Sequence, residues 1–207
     1  MQTFFSEDEL RDLEYKVSLR MGEERFGHTL GVAEVAQALG ERIIPSSVSV
    51  LRAAALLHDV AKELREADMA EEIMKIAYKL SADDISCAAA HHSFVAPEII
   101  KRDFPMYATE DILTSIYEHT LGAPCMSLFS RIIFLSDYIE PGRKYVNCKA
   151  TREYVFSLLG DSFDEAVKAL NFGAIMALDH THKFLVDRGK SVHPNLILAR
   201  NYISTLI

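Results

Sequence analysis

The 207-residue sequence is short of cysteine, of glycine and proline, and of basic charge, and each shortage excludes something. Its three cysteines, Cys87, Cys125 and Cys148, are odd in number, far apart, and form no C-x-x-C pair. That spacing excludes a disulfide framework and a thiolate zinc site. Nine glycines and six prolines are too few for a fibrous or low-complexity chain. Lys and Arg number 22 against 30 Asp and Glu, a net charge of −8 without any basic run. Non-specific binding to nucleic acid or to an anionic membrane is therefore not expected, and an anionic ligand would need a local cationic cluster or a metal. No stretch approaches the ~20 apolar residues that span a bilayer. The amino terminus, MQTFFSEDELRDLEYK, lacks the apolar core behind a basic start that marks a signal peptide. A reducing cytoplasm fits these features.

What is present has an ordinary globular balance, with 49% hydrophobic and 25% charged residues, which excludes intrinsic disorder. The length predicts one domain that buries about 70% of its unfolded surface. Almost every periodic segment predicts helix. Ser6 to Glu9 has the S-x-x-E spacing of a capping box and leads into an acidic helix to about Met21. From His28, the residues Val32, Val35, Ala36 and Leu39 keep helical spacing and stop near Gly40. VSVLRAAALLHDVAKEL, at 48–64, reads as a central helix that is apolar nearly all round. Helices are predicted around 66–80, 83–103 and 110–118. Leu128, Ile132, Leu135 and Ile139 mark another, closed by Pro141-Gly142. Ser162 to Glu165 repeats the capping-box spacing and opens a long helix with Val167, Leu170, Ala174, Leu178 and Leu185 on one stripe. A last helix follows Pro194. With no alternating strand pattern and no internal repeat, the expected fold is all-α, a single bundle of roughly eight to ten helices.

The chemistry lies in where histidine and aspartate fall. His58-Asp59 directly follows AAALL, the end of the most apolar run in the chain. Burying an ionised carboxylate costs several kcal/mol unless it is paired or bound to metal. His91-His92, His119 and Asp137 also lie in or beside apolar segments, Asp137 between IIFLS and Tyr138-Ile139. Taken singly, a buried histidine is most simply a hydrogen-bonded core residue, and a helical aspartate a cap or an ion-pair partner. Taken together, His28, His58, Asp59, His92, His119 and Asp137 form a nitrogen and oxygen donor set without sulfur, suited to Fe, Mn, Co or Zn. So many donors exceed the needs of one tetrahedral ion and can serve two ions about 3.5–4 Å apart. Successive helical residues point about 100° apart, so His58 can face one ion while the Asp59 carboxylate bridges toward a second. Lys62 follows on the same face, placed either to meet a phosphate or to pair with Asp59.

The order H…HD…H…H…D resembles the HD-domain superfamily of metal-dependent phosphohydrolases. Four longer runs are similar to the bacterial YqeK family within it: RFGHTLGV at 25–32, LLHDVAKEL at 56–64, HTLGAPCMSLFSRIIFLSDYIEPGR at 119–143 and VHPNLILARNYI at 192–203. That family cleaves diadenosine tetraphosphate symmetrically to two ADP. The resemblance spans nearly the whole chain and implies one HD domain over 1–207. In it, a catalytic core at about 20–145 is covered by C-terminal helices at 150–207 that close the nucleotide site. It implies His28, His58, Asp59, His92, His119 and Asp137 as metal ligands, His92 being preferred to His91 on its distance to Phe104, with His58 and Asp59 at the catalytic centre. It places Arg25 and Arg143 at the nucleotide phosphates, where guanidinium forks suit phosphate oxygens. Lys62 is a third cation there, and Thr181 and Lys183 of HTHKFL at 180–185 are further nucleotide contacts. A homodimer is also implied. Gly27, Leu121, Ala123 and Cys125 stand where a charged residue, a second threonine, an arginine and an asparagine are common in the family. They bear on the shape of the nucleotide pocket and remove no ligand. His180, His182 and His193 are expected at the surface or in hydrogen bonds.

The chemistry implied is two-metal hydrolysis. A pair of divalent ions, iron foremost among Fe, Mn, Co and Zn, lowers the pKa of a shared water from 15.7 toward about 7 for attack on an inner phosphorus. Their charge also explains how a chain of net charge −8 can hold a polyanion. Three other readings stay open on the residues alone. They are a broader HD phosphohydrolase acting on nucleoside monophosphates or cyclic nucleotides, a di-iron oxygenase with a similar ligand set, and a metal-stabilised helical binding module without turnover.

Overall fold

The computed structural model describes residues 4–207, so the first three residues of the amino-terminal stretch read above lie outside that range. Among the described residues there is no strand, and eleven α-helices are joined by short 3₁₀ turns and loops. The all-α expectation holds. α1 (Glu7–Ser18) starts where the Ser6 side chain accepts from the Glu9 amide and the Glu9 carboxylate accepts from the Ser6 amide, and it buries Leu10, Leu13 and Val17. α2 (Glu23–Ile43) and α3 (Val48–Leu57) pack together at the centre. Gly40 does not end α2 as the spacing predicts. The helix continues to Ile43, and Gly40 lies where α3 crosses, because a Cβ there would collide with the Leu51 side chain.

The single helix expected over 48–64 is broken. α3 ends at Leu57, and the following residues wind into tighter turns, with Val60 N bonded to Leu57 O, Lys62 N to Asp59 O and Leu64 N to Ala61 O. A run apolar on every side supports either winding, so its pattern does not mark the break. α4 (Glu66–Ile76) follows, and the stretch predicted over 83–103 divides into α5 (Ala82–Ser86) and α6 (His91–Asp103). α7 (Glu110–Glu118) and α8 (Leu128–Ile139) match their expected spans. α9 (Val146–Leu158) has no counterpart in the sequence reading, since its buried face is Cys148, Thr151 and Val155, too polar to register as an apolar stripe. α10 (Phe163–Asp187) opens at the Ser162–Glu165 capping box. α11 (Pro194–Ser204) is capped by His193, whose ring accepts from the Asn195 amide. The division of 83–103 and the added α9 carry the number to eleven, beyond the expected range.

α2 and α3 both meet α8, while α7 meets α3, α6 and α8, so these helices converge on one region. α10 packs on α2, α8, α9 and α11. One hydrophobic core runs through the bundle from Phe5 to Ile203. Among the described residues no helix is long and apolar enough to cross a membrane.

Candidate metal centre

Five elements deliver the expected donors to that region. His28 lies in the second turn of α2, His58 and Asp59 at the end of α3, His92 in the first turn of α6, His119 just after α7, and Asp137 in the last turn of α8. His28 Nε2 is 3.0 Å from Asp137 Oδ1 and 3.8 Å from Asp59 Oδ2. His58 Nε2 is 3.5 Å from Asp59 Oδ2 and 4.0 Å from Asp137 Oδ1. The other oxygen of Asp59, Oδ1, is 3.4 Å from His92 Nε2 and 3.7 Å from His119 Nε2. One carboxylate thus faces two donor groups at once. His28, His58 and Asp137, and likewise His58, Asp59 and His119, are close enough to hold an ion.

His58 and His119 occupy the same local position, the residue after the last helical one. Carbonyls of a last turn lack intrahelical partners, and each ring uses one. His58 Nδ1 donates to Ala55 O at 2.7 Å, and His119 Nδ1 to Ile116 O at 2.6 Å. His28 Nδ1 donates to Glu140 Oε1 at 3.1 Å. With the proton on Nδ1, each Nε2 turns a lone pair inward. The Nε2 atoms of His28 and His58 are buried and have no hydrogen-bond partner, although carboxylate oxygens stand close by. Facing lone pairs repel, and a cation between them removes the repulsion. The donors therefore fit a metal.

At His58, His92 and the two aspartates the protonation states agree. Burial pushes His58 down to about 4 and holds His92 well below the ordinary histidine range. At His28 burial also opposes charge, but the nearby Asp137 and Glu140 carboxylates outweigh it and raise the pKa, so a metal bound there displaces a proton. Burial alone would raise both aspartates. The surrounding histidines at Asp59, and the Arg143 guanidinium at Asp137, reverse this and hold both carboxyls well below the usual range. Neutral imidazole and ionised carboxylate are the forms that bind metal.

Two arginines stand at the rim. Arg25 Nη1 is 2.8 Å from Asp59 Oδ2, and Arg143 Nη2 is 2.5 Å from Asp137 Oδ1. Both line an open cleft of about 1000 Å³ that reaches His28 and is bordered by Glu34, Glu63 and the exposed ring of Tyr145. Lys62, its pKa lowered by burial, sits against the His92 ring with Nζ 3.1 Å from Nε2, not beside Asp59 as an ion pair. His91 lies outside the cluster, bonded to Ile85 O. The structure does not bring Thr181 and Lys183 to the donors. Thr181 bonds to Ala177 O one turn back on α10, Lys183 pairs with Asp187 one turn on, and neither lines the cleft. Their neighbour His180 does reach Tyr138, at 3.2 Å, beside Asp137. His193 is buried and bonded to Asp84 at 3.1 Å.

Two residues escaped sequence reasoning. The Thr120 hydroxyl lies 3.1 Å from His92 Nε2 and 3.2 Å from His119 Nε2. Glu140 holds His28 from behind. The available signal for Glu140 was its position three residues after Asp137, on the same face. Thr120 had only its adjacency to His119.

The HD domain model matches residues 25–142, a span that contains every donor described above. The chain belongs to the HD domain family. HD-domain hydrolases bind divalent metal ions, and the histidine and aspartate groups here can hold one. The chain is 29% identical to a protein of Halalkalibacterium halodurans named bis(5'-nucleosyl)-tetraphosphatase, symmetrical, over 90% of this chain and 92% of that protein. A Bacillus subtilis protein of the same name is also 29% identical, over 90% of this chain and 93% of its own. A crystal structure of a predicted HD superfamily hydrolase involved in NAD metabolism, from Clostridium acetobutylicum, superposes with a TM-score of 0.80 at 32% identity. That match covers 99% of this chain and all of the other.

Proposed function

We propose that this HD domain hydrolyses diadenosine tetraphosphate symmetrically to two ADP. The observation that carries the proposal is that the HD donor cluster stands in a chain similar, over nine-tenths of its length, to two symmetrical tetraphosphatases. His28, His58, Asp59, His92, His119 and Asp137 are assigned to two divalent ions, iron first among Fe, Mn, Co and Zn. The two-sided placement of Asp59 supports that assignment. When bound, such ions acidify a water and neutralise phosphate charge.

The chain's own residues orient the substrate. A guanidinium carries five N–H donors. Arg143 spends two on Asp137 and Arg25 one on Asp59, which leaves the rest for phosphate oxygens. Lys62 adds a cation on the His92 side. Water adds to one inner phosphorus, and the bond from that phosphorus to the central bridging oxygen breaks. One ADP departs with the bridging oxygen, the other keeps the oxygen of water, and a proton is released. ADP is a good leaving group, so the arrangement needs no strong general acid. Thr181 and Lys183 are assigned as further nucleotide contacts. Residues 20–145 are assigned as the catalytic core and the helices of 150–207 as its cover, in a cytoplasmic homodimer.

The test is metal analysis of the purified protein coupled to chromatography of the products. Two ADP per dinucleotide consumed is the expected result, and AMP plus ATP contradicts it. A panel of nucleoside monophosphates and cyclic nucleotides, with and without dioxygen, separates the broader hydrolase and the oxygenase. Metal that raises the melting temperature while no phosphate ester is cleaved identifies a binding module.

A further inference from the structure

Glu140 is neither a donor to the cluster nor a contact to phosphate in the reading above, yet it is only 3% exposed. Both its oxygens are committed. Oε1 accepts from His28 Nδ1 at 3.1 Å, and Oε2 from the Gly142 amide at 2.5 Å. Two glycines make the room. A Cβ at Gly31 or at Gly142 would lie 2.8 Å from Oε2. Gly31 is in the middle of α2, where glycine is a poor helix former, so its place there has a packing reason. The Glu140 carbonyl is held as well, by Arg152 Nη1 at 2.8 Å and the Arg143 amide at 3.1 Å.

We propose that Glu140 is a positioning residue for the metal centre. Through Oε1 it fixes the proton on His28 Nδ1 and the plane of the ring, so that Nε2 points at Asp137 and Asp59. Through Oε2 it pins the turn that carries Arg143. Anchoring the turn alone would need one oxygen. The second oxygen has His28 as its hydrogen-bonded partner, since the Arg143 Nε atom is 3.9 Å away. Carboxylates behind a ligating imidazole set its tautomer and raise its basicity, and their loss weakens metal binding by roughly 10- to 100-fold. This inference rests on the reading that the cluster holds metal, and it is independent of the substrate.

The test titrates chelator-stripped full-length protein with Mn²⁺ by calorimetry, alongside thermal melts without metal. Glu140→Ala is expected to weaken Mn²⁺ binding by roughly 10- to 100-fold. Gly31→Ala leaves every functional group in place but drives its Cβ against Oε2, and it is expected to weaken binding in the same direction. Glu140→Gln, whose amide oxygen still accepts from Nδ1, is expected to recover part of the loss. If Glu140→Ala does not fold, Gly31→Ala and Glu140→Gln decide. A lower melting temperature with unchanged Mn²⁺ affinity in Gly31→Ala or Glu140→Ala reduces Glu140 to a turn anchor and overturns the proposal. So does a Glu140→Gln variant no better than Glu140→Ala. Wild-type protein that binds no Mn²⁺ removes the metal reading and this one with it. No nucleotide is present, so failure here leaves the substrate assignment standing, and failure to cleave the dinucleotide leaves this one standing.

Discussion

A carboxylate placed among aliphatic side chains persists only where positive charge or donors meet it, and Asp59 is met by the Arg25 guanidinium, while the four imidazole Nε2 atoms around it leave room for a cation. Asp59→Ala removes the one group that faces both donor sets. The expected outcome is loss of turnover and of retained metal, with helix content by circular dichroism largely kept, because the aliphatic packing of α3 does not involve the carboxylate. A variant with full activity ends the metal-hydrolase reading. At this scale the donors were legible in the sequence, since an aspartate after AAALL or within IIFLSDYI is conspicuous by its surroundings. Glu140 and Thr120 were not. Their meaning comes from partners elsewhere in the chain, and neither looks unusual among its sequence neighbours.

Helices, in turn, were legible where one face is apolar and the rest polar. α7 meets that condition and its span agreed with the structure, whereas α8 is buried on most sides and was bounded by the Pro141-Gly142 breaker that follows it. α9 hides cysteine and threonine in place of leucine, and α3 is apolar all round, so the first was missed and the second ran too long. One tie between elements gives a measurable pH dependence. Tyr107 donates to Glu9 O at 2.7 Å, joining the turn before α7 to α1, and burial, with the charges of Asp12 and Glu9, raises the phenol to about 12. Between the ordinary value of 10 and that figure, the folded chain keeps a proton that the unfolded chain has lost. Stability therefore falls as pH rises from 10 toward 12 and is unaffected below 10. Tyr107→Phe should cost about 1 kcal/mol at neutral pH and show a smaller loss at high pH. Urea unfolding of both proteins at pH 7, 9 and 11 checks this, and parallel pH profiles contradict it.

For the whole molecule, metal that binds only the folded chain stabilises it by mass action. Free ion at about 100 times its dissociation constant adds about 2.7 kcal/mol, which for a domain of this size raises Tm by about 5–10 °C. Scanning calorimetry with and without a chelator measures the shift, and identical melting temperatures contradict a metal held by the folded cluster.

Composition and periodicity, read alone, determined that the chain is helical, that it forms one core, and which histidines and aspartates are out of place in apolar surroundings. These are properties of short windows, and hydrophobic burial acts on short windows directly. The tertiary structure decided which oxygen of Asp59 faces which imidazole, that His92 and not His91 joins the cluster, and that Gly31 opens space for Glu140. His28 and Glu140 are 112 residues apart in the chain. A contact across that distance is set by how helices pack, and no local pattern encodes it.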